Sequence, residues 1–138
     1  MFFFYISAPI DRILFPIGND FYNIDNFMGE TTAGTRQDQD TRWVRMYQEG
    51  RVLLVKALDI MRLIAPVDVV IVPGNHDEHT AWCVGDALHC WYNNDKSVEV
   101  DMNPHPTKYY SYGQTMFALT HGKDIRPERL PGVMSTEQ

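Results

Sequence analysis

Val67 to Val72 reads VDVVIV, and this run constrains the fold more than any other stretch. Apart from Asp68 it is continuously β-branched, which suits a strand covered on both faces. An amphipathic helix precedes it in TRWVRMYQEGRVLLVKALDIMRLI. Val44, Tyr47, Leu54, Leu58 and Met61 recur there at helical spacing, with Arg42, Arg45, Lys56 and Arg62 at polar positions. Asp40 or Thr41 is placed to cap this helix, and Pro66 to close it. Upstream, RILFPIGND from Arg12 to Asp20 reads as a buried strand feeding a loop. The polar stretch NFMGETTAGTRQDQD between them is long for a loop, and such loops are functional or mobile. Downstream, HTAWCVGDALHCWYNN predicts a second helix, and SVEVDM, KYYSYG and TMFALTHG predict three short strands. Helices between apolar strands give βαβ units and an α/β layered fold.

The 138 residues make one domain or part of one, and 44% hydrophobic residues suffice for a core. A net charge of −6 argues against a broad basic surface for a phosphate backbone. Nucleic acid stays open as a partner, because divalent cations can supply local positive charge. Cys83 and Cys90 lie seven residues apart on one helix, about 10 Å along its axis, which is too far for a disulfide. Buried free thiols in a reducing, cytoplasmic setting are the expectation. The apolar start MFFFYISAPI lacks a basic flank and is short of the roughly 20 residues that span a membrane. No membrane association is expected.

In open α/β sheets ligands gather beyond the carboxyl ends of the strands. Three strand ends here are polar: IGND, VPGNHD and ALTHG. Asp20, Asn75 and His121 offer a carboxylate, an amide oxygen and an imidazole, a mixture that suits manganese, iron, zinc or nickel. Each has a plainer reading. Asp20 could serve as a turn residue or cap, the segment around Asn75 as a surface turn, and His121 as a capped strand-end histidine.

GNHD at Gly74 to Asp77 ends a buried strand, THG at Thr120 to Gly122 ends another, and GNDFYNID follows the first. In this order and spacing they resemble the motifs of the calcineurin-like metallophosphoesterases, over roughly residues 13 to 122. The likeness is greatest to phage and bacterial members related to DNA-repair exonucleases. The resemblance implies part of a four-layered α/β sandwich, a centre of two divalent metals with manganese foremost, and hydrolysis of phosphoesters. It implies Asn75 and His121 as ligands of one ion, and His76 as the donor that steadies the leaving group. Asp77 would orient His76, and Asp25 would be a supporting hydrogen-bonder. The family places the bridging aspartate directly after glycine, where this chain has Asn19. The bridge is therefore assigned to Asp20, with Asn19 as the competing position.

Two family motifs have no match: no D-x-H precedes GND, and no G-H-x-H follows His121. Those motifs supply most ligands of one ion and one ligand of the other. A partial domain is expected, holding three ligands of one metal and only the bridge to its partner. A nuclease or other phosphodiesterase is the first expectation for the activity. A phosphomonoesterase or protein phosphatase, and a non-catalytic or partner-dependent remnant, are the alternatives. His89 and His105 are expected off the site, and His79 near enough to touch substrate. Trp43, Trp82 and Trp91 are expected in the core, and Arg36 and Arg42 in solvent.

Overall fold

A computed structural model describes residues 8–123 and 125–137. Residues 1–7 of the apolar start therefore lie outside the described chain. Strand β1 (Ile13–Gly18) leads through the long loop to helix α1 (Trp43–Met61) and then to β2 (Val67–Val72). Helix α2 (Glu78–Tyr92) returns the chain to β3 (Val98–Asp101). A hairpin of β4 (Lys108–Tyr112) and β5 (Thr115–Leu119) follows. The chain then passes through a 3-10 turn (Pro127–Arg129) into α3 (Leu130–Glu137).

The first three strands are parallel, in the order β1-β2-β3. A strand order that advances in one direction puts both crossover helices on one face of the sheet. The side chains agree. Val67, Val69 and Ile71 of β2, with Ile17, Val98 and Val100, share one core with Leu54 and Leu58 of α1 and Ala81, Val84 and Leu88 of α2. The opposite face of β2 carries Val70 and Val72, also buried, and Asp68. Tyr110 of β4 donates its hydroxyl to Asp68 Oδ2 at 2.5 Å, and the Arg12 guanidinium pairs with the same carboxylate. The hairpin is thereby tied against that face. The described layers run helices, parallel sheet, hairpin, which is an α/β arrangement.

Several sequence expectations need correction. Val44 is 47% exposed, because α1 buries only the later part of its stripe. The α1 N-cap is Arg42, not Asp40 or Thr41, and no side chain caps it. Cys83 and Cys90 are free but exposed. Helix α2 spends its buried face on Thr80, Ala81, Val84, Gly85, Leu88 and Tyr92, and both cysteines fall beside that stripe. For the same reason Trp82 and Trp91 are 43% and 61% exposed. Among the described residues, no helix is long and apolar enough to cross a membrane.

Candidate functional site

The parallel register pairs Gly18 with Val72, so β1 and β2 end side by side and their turns meet. The meeting is close. Asn19 donates its amide to Val72 O at 3.1 Å, and Asp20 Oδ1 accepts the His76 amide at 2.9 Å. A Cβ on Gly74 would stand 2.0 Å from Asp20 Oδ1, and one on Gly18 would stand 1.9 Å from Val72 O. Only glycine allows this approach at either place. Asn19 and Asp20 are left-handed, with φ of 61° and 65°, a conformation aspartate and asparagine tolerate better than most residues. This turn leaves Asn19 exposed and directs the Asp20 carboxylate at the second turn. Asp20 is thus the residue of this pair that enters the site.

The third strand end arrives through β5. His121 Nε2 lies 3.1 Å from Asp20 Oδ2, and its Nδ1 is buried without a hydrogen-bond partner among the described residues. The segment after it is held down by Lys123, whose Nζ meets Glu78 Oε2 at 2.8 Å on the first turn of α2. Burial pushes the Asp20 carboxyl up. The His76 amide and the His121 imidazole outweigh it and leave the group below its ordinary value, so Asp20 is an anion at neutral pH.

Asp77 and His76 do not pair as the resemblance implied. Asp77 is 0% exposed, and its carboxylate is spent on two backbone donors: Tyr22 N at 2.8 Å and Gly74 N at 3.1 Å. It clamps the two turns together. Burial, reinforced by the charges of Asp20 and Asp25, holds its carboxyl above the ordinary range despite both amides. The His76 ring is oriented instead by Asn23, with Nδ1 3.2 Å from its backbone oxygen and 3.3 Å from its side-chain oxygen. A protonated Nδ1 donating there leaves Nε2 for a ligand.

Asp25 supports α2 from outside the helix. Its Oδ1 accepts the Thr80 amide at 2.7 Å, and Oδ2 accepts the His79 amide at 3.2 Å and the Thr32 hydroxyl at 2.8 Å. Thr32 Oγ1 in turn accepts the Glu78 amide at 3.1 Å. The first-turn donors of α2 are therefore satisfied by the long loop, and are not offered to an anion. Burial raises the Asp25 carboxyl, and these donors overcome it and lower it. The long loop is accordingly packed, with Tyr22, Ile24, Asp25 and Thr31 all buried. Sequence reasoning missed Asn23 and Thr32. Neither carries a signal beyond lying in a polar loop.

Asn75 sits exposed on the turn between the Gly74 contact and His76. His89, Arg36 and Arg42 are exposed, and His105 is tied to Thr107 in the segment after β3. Among the described residues, no three His, Cys, Asp or Glu side chains converge on one point. The donors that meet at the corner are a carboxylate and an imidazole, and Asn75 stands on the adjoining turn directly after Gly74. That chemistry fits one borderline divalent ion, and it does not fit two. Compared with known proteins, the chain matches no family model, no curated protein and no solved structure.

Proposed function

We propose that this chain carries the phosphoester-hydrolase site of a cytoplasmic calcineurin-like metallophosphoesterase, within part of that family's four-layered α/β sandwich. A phosphodiester is the preferred substrate and manganese the preferred metal. A nuclease related to the phage and bacterial DNA-repair enzymes is the narrower form of this reading. The observation that carries it is the locking of two strand-end turns, with one Asp20 oxygen on the His76 amide and the other facing His121. Helices, parallel sheet and hairpin, stacked in that order, support the part-sandwich reading.

Asp20, His121 and Asn75 would hold a single ion. When bound, it supplies Lewis acidity to the phosphoryl oxygens and a more acidic water. Asp20 brings a negative charge to that point because its own amide and imidazole partners keep it ionised. His121 brings an imidazole, and Lys123 pinned to Glu78 fixes the segment it stands on. His76 works from the other side. With Nδ1 donating to Asn23, the doubly protonated ring is the form whose Nε2 has a proton to give to the departing oxygen. Asp77 and Asp25 touch no reacting atom. They keep the turns and the α2 terminus where His76 needs them.

The test is release of p-nitrophenol from bis(p-nitrophenyl) phosphate with manganese. The chain should turn over, and His76→Ala should lose roughly 10²–10⁴-fold in kcat. Full activity in His76→Ala would sink the assignment. Faster cleavage of the monoester p-nitrophenyl phosphate would favour a phosphomonoesterase. The lack of three convergent ligating groups favours a second reading, a folded remnant that retains the turns without turnover. Manganese binding with no release of p-nitrophenol would establish that one.

A further inference from the structure

A cavity of about 370 Å³ opens beside the corner, between the first turns of α2 and the segment that follows β3. It is lined by Trp82, Pro104 and Pro106, with His79, His105 and Lys123 also in the wall. We propose that this cavity is a base site: it takes the planar heteroaromatic ring of a nucleoside whose phosphoester lies at the Asp20–His121 corner. The inference rests on the hydrolase reading and adds the substrate class to it.

Four observations carry it. The first is continuity. Glu78 and His79 follow His76 and Asp77 directly, and Lys123 is two residues beyond His121, so the cavity shares both of its connecting segments with the corner. The second is size, which falls within the range of small-ligand pockets and is far too small for a duplex. The third is charge. Lys108 is buried with its ammonium on Asn103 O and 3.2 Å from Asp101 Oδ2, and Lys123 is paired with Glu78. With both cations compensated, the cavity favours a neutral ring over a second phosphate. The fourth is preorganisation. Asp101 Oδ1 accepts the Asn103 amide at 2.8 Å, Asn103 Oδ1 accepts the His105 amide at 2.9 Å, and two prolines fix the intervening backbone. His79 and His105 each engage Nδ1, with Asp25 Oδ2 and Thr107 O, which leaves Nε2 for the polar edge of a base. The exposed Trp82 indole offers a π-face, to which any base can stack.

The test is a titration of the full chain with adenosine and, separately, with ribose 5-phosphate plus manganese, followed by NMR at the Trp82 indole and the histidine rings. Adenosine should shift Trp82, His79 and His105 saturably. Trp82→Ala should weaken it about tenfold or more, and Trp82→Phe, which keeps a ring, should retain most of the affinity. Trp82 is half-exposed, so its removal leaves the core intact. No shift at Trp82, or equal affinity in Trp82→Ala, overturns the base site. If ribose 5-phosphate with manganese still perturbs His76 and His121 in that case, the hydrolase reading survives alone. Adenosine seated at Trp82 with His76 and His121 unperturbed by ribose 5-phosphate keeps the base site and sinks the hydrolase reading.

Discussion

Gly74 has no room for a side chain, since a Cβ would overlap Asp20 at both its carboxylate and its amide. Gly74→Ala should therefore destabilise the fold by about 1–3 kcal/mol in urea unfolding, as overpacking does. Gly132 meets nothing within 4 Å, and Gly132→Ala in α3 should be neutral or stabilise by up to about 1 kcal/mol. Equal effects at the two sites would mean the turns do not lock. The carboxylates give a pH test. Asp25 has a lowered value in the folded chain, so over the window just below the ordinary carboxylate range, about pH 4, the unfolded chain binds more protons. Its stabilisation is whole above that range and is lost as pH falls through it. Asp77 is raised, so its contribution runs the other way and falls as pH rises above that range. Asp25→Asn should then lose less stability than the parent chain between about pH 6 and pH 3. Identical pH slopes would show that Asp25 is not the capping anion. At this scale the residue types were readable in the sequence, but not their partners. GNHD marked His76 and Asp77, yet which of Asp77 and Asn23 faces the imidazole depends on where two buried amides find acceptors.

The elements were more legible than their ends. Period and β-branching marked β1, α1, β2, α2 and the three later strands, because each is fixed by one buried stripe or one apolar run. The termini were not, because they are set by long-range partners. Helix α2 is closed by Asp25 and Thr32 from a loop some 50 positions earlier, at separations of |i−j| = 55 for the Thr80 bond and 46 for the Glu78 bond. Trp82, Trp91, Cys83 and Cys90 were misplaced for a related reason. A helix hydrophobic over most of its circumference does not say which stripe the sheet will cover. The hairpin depends on few ties of its own, and Asp68 is one of them. Tyr110→Phe removes the hydroxyl from that carboxylate and should cost about 1–3 kcal/mol, as hydrogen bonds to charged groups do. Amide exchange should speed up in β4 and β5 more than in β2. Uniform acceleration across all strands would mean the hairpin is part of one cooperative unit with the sheet.

For the whole molecule, β1 and β2 end side by side in the parallel sheet, as the βαβ order led one to expect, whereas β5 brings His121 to them from a separate hairpin that this order did not place. Asp20 and His121 meet at 3.1 Å, Asn75 stands on the adjoining turn, and among the described residues no three ionisable ligands form a cluster. The adjoining cavity was not foreseeable, because it is made by a proline-rich segment after β3 that meets α2 only in the folded chain. The central claim is that the Asp20–His121 corner binds a divalent ion for phosphoester chemistry. Calorimetric titration with manganese tests it without requiring turnover. About one ion should bind per chain, at least about tenfold more weakly in Asp20→Asn and in His121→Ala, and unchanged in His89→Ala. Manganese affinity retained in both corner variants would contradict the account.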